Sequence, residues 1–159
     1  MPRSVRPRIL IADSYSSQQD ALSSHLQELS PVIDILGVNE GREALSRTEA
    51  QEVHLFLVNA FLKGPLNGFE LCRAIRKMGA HQHTPIILIL SGALIPEHRR
   101  ALAAGADLLL HAPVEKQELW RMVVLLLNET ARRGKPDSAS ADEPEMAVIE
   151  LKPSMRVLH

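Results

Sequence analysis

The sequence predicts an α/β domain built as a doubly wound, five-stranded parallel sheet with helices on both faces. Three observations predict it. Short apolar runs recur five times, at Ile9–Ala12, Val32–Val38, Leu55–Val58, Ile86–Leu90 and Leu108–Leu110. Stretches with helical spacing or helix-boundary residues separate them. Most of the runs are continuously apolar instead of alternating apolar with polar, which is the pattern of strands covered on both sides. Right-handed crossovers between parallel strands then place helices on the two faces.

Each element has its own signal. After Ile9–Ala12, a Ser/Gln/Asp-rich start leads into a helix with Leu22, Leu26 and Leu29 on one face. Gly41 opens a short helix over Arg42–Thr48, and a Gly/Pro/Asn loop ending in Asn67-Gly68 opens another over Gly68–Met78. Pro96 suits a helix first turn, and Gly105 suits the end of that helix. A long final helix is expected over Glu115–Arg133. The domain is therefore placed at residues 8–133, after an N-terminal arm of residues 1–7. Residues 134–145 have linker composition, and 146–159 form a tail whose structure the sequence does not specify.

Composition narrows the function. The 159 residues are 45% hydrophobic but only 3% aromatic, so the core is aliphatic and no base-stacking surface is expected. A net charge of −1, with Lys and Arg dispersed, gives no electrostatic footprint for nucleic acid. No apolar run approaches the length of a membrane span, and the chain is read as cytoplasmic. The single cysteine, Cys72, excludes an internal disulfide and is expected to be a buried, inert thiol. His54, His81, His83 and His111 do not form a recognisable ligand set. With no nucleophile–base pair or cofactor fingerprint, an enzyme is not expected.

In open parallel sheets, sites gather beyond the carboxyl ends of the strands. The residues closing the runs are Asp13-Ser14, Asn59, Ser91 and His111-Ala112-Pro113. Topology alone places these around one cleft.

At this point the chain resembles the response-regulator receiver family, whose chemotaxis-regulator-like members have a flavodoxin-like fold. The resemblance spans Arg8 to about Arg133. It rests on the order and spacing of Ile9-Leu10-Ile11-Ala12-Asp13, Asn67-Gly68-Phe69-Glu70-Leu71-Cys72, Ile86-Ile87-Leu88-Ile89-Leu90-Ser91, Ala104-Gly105-Ala106-Asp107 and Ala112-Pro113. The family implies an acidic pair after the first strand and a phosphoacceptor Asp after the third. It further implies Ser or Thr after the fourth, and a Lys before the Pro after the fifth. Asp13, Ser91 and Pro113 match. Ser14 replaces the second acid, Asn59 the phosphoacceptor and Ala112 the Lys, and Leu109 sits where an aromatic is common.

These replacements affect one reaction path. An acyl phosphate needs a carboxylate nucleophile, which Asn59 lacks. Mg²⁺ takes oxygen ligands and usually one or two carboxylates; with Asp13 alone its binding is expected to be weak or absent, and no cofactor is implied. Ala112 cannot clamp a phosphoryl oxygen. Asp13 is then expected to accept loop N–H groups, Asn59 to satisfy an aspartate's donors without its charge, and Ser91 to cap a loop or bond Asn59. Pro113 is compatible with a cis turn.

The resemblance implies a two-component or phosphorelay signalling module that works by protein–protein interaction, here independently of phosphorylation. Its partner would be a histidine kinase, another receiver or an output protein. Two alternatives stay open: a phosphoacceptor using an unusual residue such as Asp13, and a small-ligand sensor using the vacated cleft. In the final helix, Leu119, Met122, Val123, Leu126 and Thr130 are expected to face the sheet. Trp120, Val124 and Leu127 form a second apolar stripe, read with Leu109 as a candidate interface, including for a homodimer. A deeply seated helix is the other reading of the same stripe.

Overall fold

A computed structural model of the chain describes residues 6–91 and 95–133. The linker and tail expected at 134–159 lie outside the described residues, as do residues 1–5 of the arm. Five strands, β1 (Arg8–Ala12), β2 (Asp34–Val38), β3 (Leu55–Asn59), β4 (Ile86–Ser91) and β5 (Leu108–Ala112), pair in parallel in the order β2-β1-β3-β4-β5. Five helices alternate with them: α1 (Ser16–Leu29), α2 (Gly41–Ala50), α3 (Gly68–Arg76), α4 (Ile95–Ala104) and α5 (Lys116–Arg133). The doubly wound architecture is the one the apolar runs predict.

Period-two alternation along the strands sorts the core into two layers. Ile9 and Ile11 of β1, Leu55 and Leu57 of β3, and Ile87 and Ile89 of β4 pack beneath α1 and α5. Leu10, Phe56, Val58, Ile86, Leu88 and Leu90 point the other way, under α2, α3 and α4. Leu22, Leu26 and Leu29 are buried on α1, as their spacing requires. The second strand is shorter than its apolar run: Val32 is exposed in the preceding turn.

Helix α3 is set by two local features. Asn67 caps it, accepting from the Glu70 amide at 2.9 Å while Glu70 accepts from the Asn67 amide at 2.9 Å. Gly68 then lets the helix start against β3, since a Cβ there would lie 2.2 Å from the Asn59 carbonyl oxygen and 2.6 Å from the Ala60 Cα. Helix α4 ends where expected, before Gly105 at φ +107°. Cys72 is fully buried, and burial pushes its thiol up to about 11, the condition of an unreactive sulfur.

The final helix corrects one expectation. Trp120 and Leu127 are not an exposed stripe: they are 4% and 0% exposed and pack in the α1/α5 layer with Leu119, Val123 and Leu126. The Trp120 indole donates to the His25 carbonyl of α1. Helix α5 thus buries two adjacent ridges, one on the sheet and one against α1, so the apolar surface is consumed inside the fold. Val124 is half-buried against the same layer, and Leu109 is half-buried against the opposite one. Among the described residues of the last two helices, the large apolar side chains that stay exposed are Leu102 on α4 (58%) and Leu125 on α5 (51%).

Candidate functional site

Parallel pairing brings the carboxyl ends of β1, β3, β4 and β5 to one edge of the sheet. Ala12 pairs with Val58, Asn59 with Ile89, and Ser91 with Ala112. The cleft above them gathers Asp13, Ser14, Asn59, Ala112 and Pro113, and Ser91 closes β4 beside Ala112. The Ala112-Pro113 peptide is cis.

Asp13 is 1% exposed and Asn59 5%. The Asp13 carboxylate accepts from the Tyr15 amide at 2.9 Å through Oδ1, and from Asn59 Nδ2 at 3.3 Å through Oδ2. Asn59 Oδ1 in turn accepts from the Phe61 amide at 2.8 Å. Both side chains therefore close a turn onto the amide two residues on, a local bond that Asp and Asn form readily. Asn59 Nδ2 also reaches Gln18 Oε1 at 3.3 Å. An aspartate at 59 could accept the Phe61 amide but could not donate to Asp13. The amide converts what would be a repulsive pair into a hydrogen bond.

Burial raises the Asp13 pKa above the ordinary carboxylate value, and the bonds from Tyr15 and Asn59 only partly oppose this. Among the described residues, no Lys or Arg forms an ion pair with it.

Ser14 works as a staple. Its Oγ donates to the Asn39 carbonyl at 2.9 Å and accepts from the Lys63 amide at 2.9 Å, joining the loops after β1, β2 and β3. Ser91 is exposed, and the bonds of Asn59 run to Asp13, Gln18 and Phe61. The donor set matches Mg²⁺ poorly. Its one carboxylate already holds two hydrogen bonds, and the described residues contain no group of three or more His, Cys, Asp or Glu able to hold a metal ion.

Two residues escaped the sequence reading. Gln18 borders the cleft from α1, and Gln19 Nε2 donates to the carbonyls of Asp13 at 3.2 Å and Val38 at 2.8 Å. Both lie in the first turn of α1 right after Asp13, so their position in the cleft was the available signal.

Residues 9–124 match the family model for the response regulator receiver domain. The chain is 31% identical over 111 residues to the cyclic di-GMP phosphodiesterase response regulator RpfG of Xanthomonas campestris pv. campestris, covering 70% of this chain and 29% of that protein. It is 28% identical over 134 residues to the phosphate regulon transcriptional regulatory protein PhoB of Rhizobium meliloti, covering 84% of this chain and 56% of that one. The chain thus spans 29% and 56% of these two relatives' lengths. Among solved structures, it is similar to the signal receiver domain of a signal transduction histidine kinase from Syntrophus aciditrophicus, with TM-score 0.73, 25% identity and coverage of 79% and 93%. By sequence match and by fold, this chain belongs to the response regulator receiver domain family of two-component signalling.

Proposed function

We propose that this receiver domain signals without phosphorylation, by binding a histidine kinase, another receiver or an output protein. The observation that carries the reading is Asn59 itself: the end of β3 presents an amide, bonded to Asp13, in place of a carboxylate nucleophile. Ala112 and Ser14 remove two further charges expected of the phosphorylation cleft, and with Asp13 as the one anion Mg²⁺ binding is weak or absent. The cleft then acts as a fixed structural unit that holds the β1, β2 and β3 loops in one arrangement. Partner contact falls to the outer surface of the helices, where Leu102 and Leu125 are exposed and Trp120 is not.

The test is incubation with acetyl phosphate and Mg²⁺, followed at once by intact-mass measurement beside a competent receiver. The expected result is an adduct on the control and none on this chain. An adduct on this chain would overturn the reading and favour Asp13 as acceptor.

A further inference from the structure

A cavity of about 270 Å³ opens beside Asp13, between the first half of α1 and the β5–α5 connection. Its walls are Leu22, Ile89, Ala112, Pro113 and Val114, and Asp13, Gln18 and His25 supply its polar groups. A mostly apolar recess with a few convergent polar groups is the usual form of a small-molecule site.

The chemistry of the occupant follows from Asp13. A carboxylate this deeply buried is costly unless a cation compensates it. Its two hydrogen bonds come from neutral donors, and the one to Asn59 is long at 3.3 Å. The lysines that follow Asn59 and Val114 in the chain, Lys63 and Lys116, are engaged elsewhere. Lys63 lies over the Tyr15 ring at 4.5 Å, and Lys116, just beyond the cavity wall at Val114, pairs with Glu28 at 2.9 Å and lies over the Trp120 ring. Ala112 leaves its part of the wall short.

We infer that this cavity binds a small organic monocation, a primary alkylammonium whose head bonds the Asp13 carboxylate while its chain packs on Leu22, Ile89 and Val114. A neutral ligand would leave the buried charge uncompensated, and an anion would be repelled by it. The apolar walls favour a carbon chain over a hydrated metal ion, which would keep its waters against Leu22 and Val114. Because the cavity bridges α1, β4 and the β5–α5 connection, an occupant would tie together elements of the site and the helix that flanks it. The cavity's choice of ligand does not depend on whether the domain signals without phosphorylation.

The experiment is a titration of the isotopically labelled full chain with n-butylammonium chloride, followed by amide chemical shifts. Separate titrations with n-butanol and with magnesium chloride share the same ionic strength. Saturable shifts centred on Asp13, Ala21, Leu22 and Val114 are expected with butylammonium, with butanol at least about tenfold weaker. Asp13→Asn, which keeps the shape and removes the charge, is expected to weaken butylammonium by about tenfold or more. Ala112→Lys, which supplies an ammonium from the chain itself, is expected to abolish binding. No saturable shift with butylammonium, equal binding of butanol, equal binding by folded Asp13→Asn, or saturation by Mg²⁺ alone would each overturn the inference.

Discussion

Asn59 donates its side-chain amide to the Asp13 carboxylate across 3.3 Å, joining the ends of β3 and β1 through two nearly inaccessible side chains. Asn59→Asp would replace that bond with two buried carboxylates. The substitution is expected to destabilise the fold by about 1–3 kcal/mol near neutral pH, since one carboxylate must be protonated or repelled. Millimolar Mg²⁺ should recover part of the loss, because the pair supplies the second anionic ligand that the natural cleft lacks. Thermal melts with and without Mg²⁺ measure both; a variant as stable as the parent and indifferent to Mg²⁺ would contradict the role given to the amide.

His54 and His81 should make stability fall on mild acidification. Burial lowers both imidazole pKa values from the ordinary 6.5, against a weaker opposing attraction from Glu52. His54 Nδ1 accepts the Arg8 amide at 2.9 Å, so protonation there also breaks a bond. With folded values below unfolded ones, the contribution is fully present above about pH 6.5 and is lost as pH falls through the folded values. Asp13, whose folded value is raised, has the opposite sign: its penalty is relieved as pH falls through that value. Denaturant melts from pH 7.5 to 5 should show a decline that His54→Gln makes shallower.

Arg76 ties α3 to the far edge of the sheet. Its guanidinium donates to the Gly105 carbonyl at 3.0 Å, the His81 carbonyl at 3.1 Å, the Thr84 carbonyl at 2.6 Å and Asp107 at 2.8 Å. Asp107 also accepts the Ile86 amide at 2.8 Å, positioning the start of β4. Arg76→Ala is expected to cost about 2–4 kcal/mol, and Arg76→Lys most of that, since an ammonium cannot span the same acceptors. Chemical denaturation of the two variants decides it.

Gly68→Ala should shift the site as well as the stability. The new methyl would press on the backbone of Asn59 and Ala60, which has no side-chain freedom to yield. A loss of about 1–3 kcal/mol is expected, together with amide shift changes at Asn59 and Phe61. A variant with unchanged spectra there would refute the close approach as the reason for glycine.

Trp120→Glu is expected to unfold the protein instead of disabling a surface, because it would place a charge in the α1/α5 core. Trp120→Phe, which loses the bond to His25, should cost about 1 kcal/mol or somewhat more from lost packing. Leu125→Glu should leave stability within about 0.5 kcal/mol, making it the usable probe of partner binding on α5. Circular dichroism and melts of the three variants separate these outcomes.

The sequence by itself determined the layer order and the residues that stand at the strand ends. Continuous apolar runs can be satisfied only by strands covered on both sides, and chain-order alternation with helices then fixes which strand ends share an edge. Asp13, Ser14, Asn59 and Ala112 were legible for that reason, as was the helix entry at Asn67-Gly68. Only the tertiary structure decided the distant partners of these polar groups, because those come from segments far apart in the chain. Ser14 with Asn39 and Lys63, and Asn59 with Gln18, are such pairs. It also decided the fate of Trp120. Apolar periodicity shows that a helix carries a wide hydrophobic surface, but whether the neighbouring helix covers it depends on how α1 and α5 pack, and here α1 does.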